Sequence, residues 1–162
     1  MLKKVFRSAQ SNVELETLTK ALFVSQTAEK GGAELFLIDA VKAGGSDWNA
    51  CFLGGLGPAV DELRATGFDP LVFSAESELL SVKRGASLLQ LLSVSRALIT
   101  AAFRLAAKAK HYDVLCANSQ KAMFVCALAS KLCGKPLVWC LHDIVTDESF
   151  SAVNRKAVVL FS

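Results

Sequence analysis

A parallel β-sheet covered by helices on both faces, the doubly wound α/β class, is what this sequence predicts, and three observations predict it. Its strand-like runs are continuously apolar rather than alternating, as in Ala21, Leu22, Phe23, Val24 and in Leu71, Val72, Phe73, which is the pattern of strands buried on both sides. Those runs alternate with longer segments of helical period. Glycine and polar residues mark the junctions, as at Gly31-Gly32 and Gly57-Pro58. A chain of 162 residues suits one well-buried domain. Its hydrophobic fraction of 52% and mean hydropathy of +0.40 are high, yet no run approaches the ~18 apolar residues of a membrane span.

The elements follow in order. Residues 1–19 have no clean period and read as an N-terminal arm. A frayed terminus is the plainer reading; the alternative is that Leu2, Val5 and Phe6 beside Lys3, Lys4 and Arg7 touch a membrane surface. The first strand, 21–24, is followed by a polar loop, 25–30, and by Gly31-Gly32. Then Ala33, Leu35, Phe36, Ile38, Ala40 and Val41 recur as in a mostly buried helix that ends before Gly44-Gly45. A second strand, 48–53, closes on Gly54, Gly55, Leu56 and Gly57, and Pro58 suits the first position of a helix over 58–66 that stops at Gly67. The third strand is 69–74, and the polar stretch 75–85 reads as a loop or a short irregular helix. A long helix over 86–110 turns Leu88, Leu91, Leu92, Ile99, Phe103 and Leu105 to the core, with Arg96, Arg104 and Lys108 along one side. The fourth strand, 112–117, leads into Asn118-Ser119-Gln120 and a helix over 121–132 ending near Gly134. The fifth strand, 136–141, carries His142-Asp143 at its tip. A loop over 144–150 and the start of another helix over 152–161 complete the chain.

Net charge of +3 and a pI near 8.6 are too mildly basic to argue for nucleic acid without a clustered basic face. Cys51, Cys116, Cys126, Cys133 and Cys140 form no CxxC pair and read as reduced core thiols of a cytosolic protein, not a disulfide frame or a zinc site. The basic start, Met1 to Arg7, has no apolar segment behind it and is no secretory signal.

In a doubly wound sheet, ligands bind beyond the carboxyl ends of the strands. Four polar groups belong there by topology: Gly31-Gly32, Gly54 to Gly57, Asn118-Ser119 and His142-Asp143. Glycines between a strand and a helix let an anion approach free N–H groups at the positive end of the helix. The plainer reading is a tight turn, with Glu34 capping those amides. Gly55-Leu56-Gly57 lacks the third glycine of a dinucleotide fingerprint and follows the wrong strand, so it reads as a turn. A histidine at a strand end is usually structural, but its place at the mouth of the sheet favours a role in the site.

With those residues in place, the chain resembles the N-terminal domain of family 4 glycosyltransferases, retaining enzymes of the GT-B fold. The likeness rests on Gly31-Gly32-Ala33-Glu34, on Gly57-Pro58-Ala59-Val60-Asp61-Glu62-Leu63, on Asp113-Val114-Leu115-Cys116-Ala117-Asn118-Ser119, and on Lys135 to Asp143. It implies a Rossmann-like acceptor-binding domain over 20–162, incomplete at its end and without the donor domain. It also implies that Gly31 and Gly32 face the donor diphosphate. His142 is then the catalytic residue beside the transferred sugar, donating a hydrogen bond to it. Glu34, Asn118, Ser119 and Asp143 are placed on the acceptor side. No cofactor or metal is expected; the partners are a nucleotide sugar, a sugar or lipid-linked acceptor, and the donor half. The location implied is cytoplasmic, at the inner face of the membrane where the acceptor is lipid-linked. Two departures stand out: Cys116 occupies a position where many relatives have histidine, and no two glutamates are eight positions apart, as they are in the family's donor domain. The alternative is a non-catalytic Rossmann-like module that binds a partner protein or a nucleotide, for which the high apolar content speaks.

Overall fold

The computed structural model describes residues 19–73 and 88–142, with side chains described from residue 96 onward in the second stretch. Five strands form one sheet: β1 (Ala21–Ser25), β2 (Trp48–Phe52), β3 (Leu71–Val72), β4 (Val114–Ala117) and β5 (Leu137–Trp139). Between them run helices α1 (Gly32–Gly44), α2 (Pro58–Ala65), α3 (Leu88–Ala109) and α4 (Gln120–Cys133). The strands lie in the order β3-β2-β1-β4-β5, and every neighbouring pair is parallel. This is the predicted doubly wound fold.

The continuous apolar runs are explained by what covers them. All five residues of β1 are buried, and successive side chains enter different cores. Ala21 and Phe23 join Leu37, Ile38, Val60 and Leu63 under α1 and α2. Leu22 and Val24 join Leu105, Leu115, Met123 and Cys126 under α3 and α4. Because β1 pairs with β2 on one side and β4 on the other, the winding direction reverses between β1 and β4. That reversal opens a crevice beyond their carboxyl ends.

The edge strands are shorter than the sequence predicts. In place of 69–74, β3 has two residues, and in place of 136–141, β5 has three. An edge strand pairs on one side only, and the backbone leaves the ladder as soon as it turns, after single further bonds from Phe73 N to Phe52 O (2.9 Å) and Cys140 N to Ala117 O (2.9 Å).

The orientation of α3 corrects the expectation. Ile99 and Phe103, assigned to the core, are 46% and 59% exposed, whereas Ala101, Ala102, Leu105, Ala106 and Ala109 are buried. These small residues meet Ala122, Val125, Cys126 and Ala129 of α4, so the two helices pack closely on a mostly alanine face. Close approach of two backbones over a sheet selects small side chains there, and the bulky ones turn outward. Leu88, Leu91 and Leu92 lie outside the described side chains, as do the arm over 1–18, the loop over 75–85 and the segment after 142 outside the described structure. Of the basic row, Arg96 and Lys108 are exposed. Arg104 lies 4.7 Å from the centre of the Phe73 ring, a cation–π contact that ties α3 to the end of β3.

All five cysteines are free, three of them buried. Burial, with a smaller contribution from Cys140, pushes the Cys116 thiol up to about 12, and burial pushes Cys126 well above the ordinary range. Both stay protonated at neutral pH and act as small apolar fillers.

Candidate functional site

At the carboxyl ends of β1, β4 and β5 lies a cleft of about 580 Å³. Gly32 and Ala33 at the start of α1 form one wall, Asn118 and Ser119 after β4 lie at its centre, and Cys140 and His142 after β5 form the other. It sits beside the reversal between β1 and β4.

The α1 wall is built by its glycines. Gly31 takes the N-cap position with no side chain to cap the helix, and the N–H groups of Gly32 and Ala33 have no acceptor among the described residues. A Cβ on Gly31 would lie 3.0 Å from the Glu34 carboxylate, whereas one on Gly32 would meet nothing within 4 Å. A side chain at Gly31 would press on Glu34, and Gly32 leaves the cleft open. The neighbouring α4 differs, because its N-cap Ser119 accepts a hydrogen bond from Ala122 N (3.2 Å) through its own hydroxyl.

Glu34 does not cap α1. It is buried, and its Oε1 accepts a hydrogen bond from the Ser25 hydroxyl at 2.8 Å. That bond anchors the first turn of α1 to the end of β1. The loop between them is anchored at a second point, where Ala59 N of α2 donates to Ala28 O (2.9 Å). Gly57 permits this approach, since a Cβ there would lie 2.8 Å from Ala28 O. The Gly54 to Gly57 group thus lies beyond the carboxyl end of β2, as expected, and braces this loop, but it is not among the residues that line the cleft.

Asn118 connects the walls. It is fully buried; its Nδ2 donates to Ala33 O (2.8 Å), and its Oδ1 lies 2.8 Å from His142 Nε2. Its backbone N–H donates to Val24 O (2.8 Å), extending the β1–β4 ladder. The ring of Phe36 on α1 meets the His142 ring edge-on, 5.1 Å between centres.

Gly32, Asn118, Ser119 and His142 thus line one cleft, while Gly31 and Glu34 are not among its lining residues. Asp143 lies outside the described residues. The sequence reading missed Gln26, Lys121 and Trp139, which also line the cleft, and Phe36, which supports it. Lys121 was legible as the residue that opens the helix after Asn118-Ser119; Trp139 was hidden as one more apolar residue of a strand. Among the described residues no carboxylate lines the cleft, where Lys121 is the charged side chain, and Glu34 stands in the first turn of α1 beside Gly31. No described group of three or more His, Cys, Asp or Glu side chains is arranged to hold a metal ion. No described helix is long and apolar enough to cross a membrane.

No family model matches the sequence, and no curated protein matches it. Among solved structures, crystal structures of Anabaena Alr3699/HepE do. The chain is similar to HepE. The HepE structure in complex with UDP and glucose aligns with a TM-score of 0.67 at 31% identity, over 88% of this chain and 35% of HepE. The complex with UDP-glucose gives 0.67, and that with UDP gives 0.66, both at 31% identity. The chain thus spans about a third of HepE's length.

Proposed function

We propose that this chain is the acceptor-binding half of a GT-B glycosyltransferase of family 4, which transfers a sugar from a nucleoside diphosphate sugar with retention of anomeric configuration. The observation that carries the reading is the cleft at the sheet's reversal, in which the uncapped N-terminus of α1 stands across from His142. The likeness to HepE, whose structures hold UDP, glucose and UDP-glucose, supports the same class of ligand.

In this reading the amides beyond Gly31 and Gly32 receive the donor diphosphate and stabilise the charge that grows on the leaving nucleotide. Lys121 adds a positive charge to the same space. His142 contacts the transferred sugar, and Asn118 and Ser119 line the acceptor side. The reaction so drawn uses neither metal nor cofactor. The nucleotide is held tightly only when a donor half closes over it. Leu35, Phe36 and Leu141, each about half exposed beside the cleft, form an apolar rim for that half to cover.

The test supplies the donor half, fused to the chain or as a separate polypeptide, and measures UDP release and sugar transfer from UDP-glucose and other common nucleotide sugars. Turnover that requires both halves is expected. Absence of hydrolysis and of transfer for every donor overturns the reading. The same apolar rim also suits the second reading, a non-catalytic module covered by a partner protein. Thermal stabilisation by a dinucleotide, with none by any sugar nucleotide, would favour that one.

A lipid-linked acceptor at the inner face of the membrane extends the proposal. Ile99 and Phe103 stand exposed on α3 near Arg96 and Lys110, a mixed face suited to an anionic bilayer. Co-sedimentation with anionic vesicles at low salt is expected, and its absence removes this extension.

A further inference from the structure

Asn118 is fully buried and uses three hydrogen-bonding directions at once. Its backbone N–H meets Val24 O, its Nδ2 meets Ala33 O, and its Oδ1 faces His142 Nε2, each at 2.8 Å. A peptide carbonyl can only accept, so the end of the amide that faces Ala33 must be the NH₂ group. The end that faces His142 is then the oxygen, which likewise can only accept. Nε2 must therefore carry the proton, and in the neutral ring the lone pair is left on Nδ1. The edge of Phe36, 5.1 Å away between ring centres, limits rotation of the imidazole.

From this geometry we infer that Asn118 is a positioning residue that fixes His142 as the Nε2–H tautomer, so that the ring offers a bound molecule an acceptor at Nδ1 and is met by a hydroxyl that donates. This reverses the direction expected from the resemblance, in which the histidine donates to the sugar. The inference rests on the proposed function only in taking that hydroxyl as a sugar's. The lock itself follows from the protein: Asn118 joins the end of β1, the first turn of α1 and the tip of β5, so the ring is oriented before any ligand arrives.

The experiment is ¹⁵N NMR of the imidazole nitrogens in the uniformly labelled chain at about pH 8.5, where model histidine is neutral. The chain has two histidines, His111 and His142, and His142→Gln tells their signals apart. The expected result is a proton on Nε2 and none on Nδ1 of His142, with the Nε2 proton exchanging with water about tenfold more slowly than that of His111, which is exposed as His142 is and has no such hydrogen bond among the described residues. Asn118→Leu, close in size but without the amide, should abolish the slow exchange. Should Asn118→Leu fail to fold, the comparison with His111 within the wild-type spectrum still decides. A proton on Nδ1, or exchange as fast as that of His111, overturns the inference. No sugar nucleotide enters this measurement. A chain that shows the lock but whose completed form turns over no donor refutes the transferase reading alone, and one that is active without the lock refutes this inference alone.

Discussion

The extended backbone of Gly57, with φ of 174°, is open to any residue, so space alone demands a glycine there. A methyl group would press on the Ala28 carbonyl and on the Ala28 side chain at 2.9 Å, in a loop already tied to α2. Gly57→Ala is expected to cost about 1–3 kcal/mol in chemical denaturation. Gly32→Ala meets nothing within 4 Å and should leave stability within about 0.5 kcal/mol, while the added methyl at the cleft weakens UDP binding in the completed enzyme. The same loop and both helices meet at Glu62, whose carboxylate lies 2.7 Å from Lys30 and 2.7 Å from Lys42. Hydrogen bonds from Lys30 first and Lys42 second hold its carboxyl down from 4.5 to about 2. A pKa lowered by folding stabilises the protein above the unfolded value and ceases to do so as pH falls through the folded one. Thermal midpoints measured against pH should therefore decline between pH 4.5 and about 2, and Glu62→Gln should lack that share of the decline.

Helix α3 shows at the scale of an element how a correct assignment can carry a wrong orientation. Its length and position were legible, because residues 86–110 contain neither proline nor an interior glycine. Its rotation was not: hydrophobic period ranks Ile99 and Phe103 above the alanines, whereas the spacing to α4 admits only small residues. The two faces should respond oppositely to substitution. Ala102→Leu overpacks the α3–α4 contact and should lower stability by about 1–3 kcal/mol, while Phe103→Ser on the open face should change it by less than about 0.5 kcal/mol. Denaturant titration of both variants checks this, and the reverse ranking would restore the orientation read from the sequence. The edge strands make a related point. The apolar content of 69–74 and 136–141 marked β3 and β5, but strand length depends on having a neighbour, which no local pattern encodes.

For the whole molecule, the central result is that residues far apart in sequence share one cleft. If the proposed function holds, His142→Ala in the chain completed with a donor half should reduce turnover at least about 100-fold, read by steady-state UDP release, without moving the melting temperature beyond the range of surface changes. Unchanged turnover would return the histidine to a structural role. By itself the sequence determined the class of fold, the order of its elements and the place where Gly32, Asn118, Ser119 and His142 would meet. Buried strands and glycine junctions are local signatures, and the rule for doubly wound sheets carries them to a single edge. Only the tertiary structure decided that Glu34 turns back to Ser25, that Gly57 packs against Ala28 of the β1–α1 loop, and that Asn118 holds the histidine through its side-chain oxygen. Each of these depends on where a side chain finds its hydrogen-bond partner across tens of residues, and such pairings form only once the sheet and helices have brought the partners together.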